Sequence, residues 1–98
     1  MRLSSEIQHQ LIACLKQYFG NKAHLYLFGS RVDDNKKGGD IDLFLETDQK
    51  VSLQTEIDSL KTVYSRITQR KIDLIIHSPE KIDHPIFQTA KKEGVLLC

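Results

Sequence analysis

The sequence predicts an α/β (α+β) fold, a mixed sheet of three or four strands with helices packed on it. Two stretches, 4–19 and 51–68, place apolar residues at helical spacing. Three short runs, HLYLFG, DIDLFLE and KIDLII, read as strands. The resulting order is α-β-β-α-β-α, with a final strand over 95–97. The long crossover between the second and third strands can join parallel neighbours. The first and second strands are separated by a ten-residue loop, 30–39, which suits an antiparallel pair.

The first helix carries Ile7, Leu11, Cys14, Leu15 and Tyr18 as its apolar stripe. Ser5 with Gln8 three residues later suits a capping box, and Gly20-Asn21 is a stop signal. In 24–29 the alternating faces are Leu25 with Leu27 and Tyr26 with Phe28, so the strand is expected to be covered on both sides. Residues 30–39, polar with two adjacent glycines, read as a loop. In 40–46, Ile41, Leu43 and Leu45 share one face, and Asp40, Asp42 and Phe44 the other. The second helix is expected to bury Leu53, Ile57, Leu60, Tyr64 and Ile67. The third strand is 71–76. Asp83 can cap a third helix over 84–93, with Pro85 in its first turn and Gly94 just past its end.

Composition narrows the function classes. The chain has 98 residues, 40% hydrophobic and 28% charged, with a formal net charge of +1. That is a globular composition, not a disordered tail, and it predicts a single domain over 1–98. It offers no excess of cations for binding nucleic acid by bulk charge, so strong nucleic-acid binding is not expected. There is no signal-peptide pattern and no membrane-spanning stretch. The two cysteines, Cys14 and Cys98, fit reduced thiols, so a cytoplasmic protein without a membrane partner is expected. His9, His24, His77 and His84 are scattered without zinc spacing and read as surface or helix-end residues.

Three aspartates break the strand pattern. Asp40 and Asp42 lie two apart, so their side chains leave one face, about 7 Å apart at Cα. Asp73 sits inside KIDLII. Asp is depleted in strands, and carboxylates gathered on one face repel one another and resist desolvation. Such a group needs a counter-charge. Arg70 and Lys71 stand at the start of the third strand, and Lys36 and Lys37 precede the second. A divalent cation with oxygen ligands, magnesium or manganese rather than zinc, would supply the charge at short range. Taken singly, Asp40 equally suits a loop position and Asp73 an exposed sheet edge.

Gly29-Ser30, at the carboxyl end of the first strand, adds a place where backbone N–H groups and a hydroxyl could seat a phosphate. Competing loops fail. There is no GxxxxGK[ST]. A calcium loop beginning at Asp33 would put Lys37 and Phe44 at ligand positions, where neither can serve.

The stretch LFGSRVDDNKKGGDIDLFLE, followed by KIDLII, resembles the DNA polymerase beta superfamily of nucleotidyltransferases. More narrowly it resembles the minimal nucleotidyltransferase (MNT) group, small proteins often paired with a HEPN-domain partner in toxin–antitoxin modules. The resemblance covers roughly residues 24–98. Its pattern is Gly-Ser, a spacer, Asp-x-Asp, and a third acidic residue on a later strand. The spacer here, 31–39, is one residue shorter than usual.

The resemblance implies a nucleotidyltransferase fold and a site. Gly29 and Ser30 match the phosphate-binding pair, and Arg31 an arginine common after it, although Arg31 equally suits a surface ion pair. Asp40 and Asp42 match the metal-binding pair, and Asp73 the third, metal-completing and catalytic carboxylate. The implied cofactor is Mg²⁺, two ions with nucleotide bound, and the implied donor is ATP. The implied activity is transfer of AMP to a hydroxyl of a HEPN-type partner, so that the chain acts as an antitoxin. The alternative is a non-catalytic antitoxin or nucleotide-binding module that neutralises its partner by covering it. A third possibility is an enzyme of the same fold acting on a small molecule, for which a homo-oligomer could build a pocket between copies.

Overall fold

The computed structural model describes residues 3–28, 41–79 and 85–98. Among these, helices α1 (Ser5–Phe19), α2 (Leu53–Arg66) and α3 (Pro85–Glu93) accompany strands β1 (His24–Phe28), β2 (Ile41–Glu46), β3 (Ile72–His77) and β4 (Val95–Leu96). The strand order is β3-β2-β1-β4. β1 runs antiparallel to β2 and β4, while β2 and β3 are parallel through the α2 crossover. The mixed sheet and both pairing directions agree with the sequence expectation. β1 lies between two strands and is covered on both faces.

Helices pack on both sides of the sheet. Leu11, Leu15 and Phe19 of α1 and Val63 of α2 meet Leu25, Leu27, Ile41, Leu43, Leu45, Ile72 and Ile76 in the main core. On the other face, Tyr26 and Phe44 meet Ala90 of α3, with Phe28, Ile75 and Phe87 around them. A buried aliphatic side chain is worth roughly 1.5–3 kcal/mol of transfer free energy, so the main core dominates stability. The Tyr18 hydroxyl shares a hydrogen bond with Thr62 Oγ1 at 2.6 Å, tying α1 to α2. Thr47 Oγ1 donates to the Phe19 carbonyl at 2.8 Å, tying the end of β2 to the end of α1. Gly20 supplies the turn between α1 and β1 with φ of 103°, a conformation that side chains resist.

Two expectations are corrected. The N-cap of α1 is Ser4, not Ser5: Ser4 has extended backbone angles, and its hydroxyl accepts from Ile7 N–H at 3.2 Å. Gln8 donates instead to the Leu3 carbonyl at 2.9 Å, so no capping box closes. The stripe of α2 is displaced: Leu53 is 71% and Ile57 40% exposed, while Ser59 and Val63 are buried. Ser59 enters the core because its hydroxyl is satisfied within the helix, by the Glu56 carbonyl at 2.8 Å. β3 is an edge strand, and of the two positions open to Asp73 the structure gives the exposed sheet edge. The proposed cap Asp83 and its neighbour His84 lie outside the described residues.

Candidate active site

Strand alternation decides which side chains can meet. Ile41, Leu43 and Leu45 belong to the main core and Phe44 to the α3 face, so Asp42 projects on the α3 side. Ile72 and Ile76 likewise face the main core and Ile75 the α3 side, placing Asp73 with Ile75. The pairing of β2 with β3 sets Asp42 directly beside Asp73, and that of β1 with β2 sets Phe28 on the other side of Asp42. Phe28, Asp42 and Asp73 therefore form one row across three strands. Neighbouring strands lie about 4.8 Å apart, so the two carboxylates start from adjacent positions on one face.

This register is pinned by backbone contacts at the row. Ile41 N–H donates to the Lys71 carbonyl at 2.8 Å. Ile72 N–H, on the edge strand, donates to the Tyr64 hydroxyl at 2.8 Å, so α2 holds the residue just before Asp73. Asp42 is half-buried, whereas the Asp73 side chain is 47% exposed. Lys71 Nζ stands 3.8 Å from Asp73 Oδ1. The donor atoms on the row are carboxylate oxygens, the set that suits a hard divalent ion such as magnesium.

Gly29, Ser30, Arg31 and Asp40 lie outside the described residues, as do Lys36 and Lys37. The described chain leaves β1 at Phe28, level with Asp42, and resumes at Ile41, the residue before it. Among the described residues no group of three His, Cys, Asp or Glu gathers around a metal-sized point. Of the carboxylates marked out in the sequence, the structure thus brings Asp42 and Asp73 together.

A second polar cluster escaped the sequence reading. Two rows further along the strands, about 13 Å away, His24, Glu46 and His77 are register partners. Lys91 of α3 reaches Glu46 at 3.1 Å, and His77 Nδ1 lies 3.6 Å from the same carboxylate. Hydrogen bonding and the Glu46 charge hold the Lys91 ammonium above the usual lysine range. The His77 ring stacks on Phe87 at 4.4 Å, and Phe87 on Phe44 at 5.9 Å. Glu46, His77, Phe87, Gln88 and Lys91 line a cavity of about 190 Å³. His77 is thus a half-buried strand residue, not a surface or helix-end one. Its one available signal was its place immediately after KIDLII, where strand alternation sets it on the Asp73 face.

No curated protein matches the chain. The family described as Polymerase beta, Nucleotidyltransferase matches it over residues 9–98. That match spans both carboxylate strands and all of the sheet, and the mixed sheet with helices on both faces accords with it. The chain belongs to the polymerase beta nucleotidyltransferase family.

Proposed function

We propose that the chain transfers AMP from ATP to a hydroxyl group of a partner protein, a HEPN-type toxin, and thereby acts as its antitoxin. The observation that carries the reading is the register that sets Asp42 beside Asp73 on one sheet face. Family membership supports nucleotidyl transfer in general. The finer reading draws on the MNT resemblance and on the exposure of Asp73 at an edge strand, where a folded acceptor can approach from outside. The net charge of +1 favours a protein acceptor over a nucleic acid.

In this reading Asp40, Asp42 and Asp73 would hold Mg²⁺, and Ser30 with the backbone around Gly29 and Arg31 would receive the triphosphate. When bound, the ion supplies charge neutralisation for the phosphates and the leaving pyrophosphate. The acceptor oxygen forms a bond to the α-phosphorus in line with the bond to the β-phosphate, which breaks. Asp73, more exposed than Asp42, takes the acceptor's proton.

The test is incubation of the purified chain with magnesium, ATP labelled at the α-phosphate, and the product of the neighbouring gene. Label should appear on a hydroxyl residue of that product, located by mass spectrometry, and Asp42→Asn should abolish it. Absence of transfer, with neutralisation in cells surviving Asp42→Asn, would replace this reading with neutralisation by binding alone.

A further inference from the structure

The third carboxylate already carries a cation. Lys71 Nζ lies 3.8 Å from Asp73 Oδ1, with side chains 68% and 47% exposed respectively. The placement follows from the backbone. Lys71 precedes Asp73 by two residues, so both side chains leave the same face of the strand. The Lys71 carbonyl accepts from Ile41 N–H at 2.8 Å, and the Ile72 N–H is held by Tyr64, so the base of the lysine stem is fixed beside β2. The ammonium, at the end of a flexible stem, remains free to move.

Two anions on adjacent strands need positive charge close by. An ammonium on Asp73 supplies part of it from within the chain. A divalent ion held by Asp42 and Asp73 would supply the same charge to the same oxygen, and two cations cannot share that position without repelling each other.

We propose that Lys71 is an exchangeable counter-ion for the carboxylate pair: it occupies Asp73 until a divalent ion binds, is displaced by that ion, and so sets the affinity of the site for it. This rests on the reading of Asp42 and Asp73 as ion ligands. Lys71 is a positioning residue in this role, acting through Asp73. The pair is exposed, so its coupling has the size of a surface ion pair, and loss of the ammonium tightens ion binding by roughly two- to five-fold. The effect shrinks as salt rises, because exposed charges are screened.

The experiment measures Mn²⁺ binding to the full chain without nucleotide, by electron paramagnetic resonance of the free ion. Asp73→Asn should lose the site. Lys71→Met, which keeps the apolar stem, should bind Mn²⁺ two- to five-fold more tightly than the parent, and Lys71→Arg should restore the parent value. Lys61→Met, which removes an equal charge from α2, should change nothing. If Asp73→Asn keeps the ion, the reading of the carboxylates as its ligands fails. If Asp73→Asn loses the ion but Lys71→Met binds no more tightly, or Lys61→Met tightens binding equally, the counter-ion role alone is overturned.

Discussion

Asp73→Asn is the substitution that best separates a carboxylate kept for chemistry from one kept for stability. Among the described residues, two interactions change when its charge is removed. The attraction to Lys71 at 3.8 Å is worth about 1.1 kcal/mol in bulk-water dielectric. The repulsion from Asp42, whose carboxylate starts about 5 Å away on the neighbouring strand, is worth about 0.8 kcal/mol on the same scale. Both side chains of the Lys71–Asp73 pair are solvent-exposed, so the high-dielectric figures apply and the two effects cancel to within a few tenths of a kcal/mol. Urea denaturation without divalent ions should therefore give Asp73→Asn the parent's stability within about 0.5 kcal/mol. Magnesium should split them. An ion present at 100 times its dissociation constant stabilises the folded parent by about 2.7 kcal/mol, and the variant by nothing. A shift beyond about 1.5 kcal/mol without metal would refute the cancellation. Equal stabilisation of both proteins by magnesium would refute the role of Asp73 as a ligand.

Three further outcomes follow from described contacts. Ser78 is buried at 2% exposure and its hydroxyl lacks a hydrogen-bond partner among the described residues, so Ser78→Ala should raise stability by about 1 kcal/mol, read as a higher urea midpoint with an unchanged slope. Tyr64→Phe strands the buried Ile72 N–H and should cost about 1–2 kcal/mol, with faster hydrogen exchange at Ile72. Glu46 raises the Lys91 pKa, so the stability Lys91 contributes is present below lysine's ordinary value and lost as pH rises through the raised one. The stability difference between the parent and Lys91→Met, no more than about 0.5 kcal/mol for so exposed a lysine, should hold from neutral pH upward and vanish only well above pH about 10.

How far these features were legible differs by residue. Leu25 and Leu27 alternating with Tyr26 and Phe28 announced a strand covered twice, and β1 is one. The lone long crossover announced the parallel pair β2–β3. In α2 the spacing defined a stripe but not its limits. Helical periodicity marks which residues share a face, but where the neighbouring layer ends is decided by tertiary packing, and it left Leu53 and Ile57 outside. Ser59 looked polar and is buried because its own helix satisfies it. Asp42 and Asp73 could be marked as misplaced carboxylates from composition alone. That they stand side by side depends on the register across a crossover, which no local pattern carries. The same holds for Glu46, His77 and Lys91, three unremarkable polar residues until two strands and a helix converge.

The most direct test of the carboxylate row is nuclear magnetic resonance of the labelled chain titrated with Mn²⁺ and ATP. Paramagnetic broadening should strike the amides of Phe28, Asp42 and Asp73 first and reach His77, two rows on, last, and Asp73→Asn should weaken the whole pattern. Broadening centred on the Glu46–His77 end of the sheet, or unchanged in Asp73→Asn, would contradict the account.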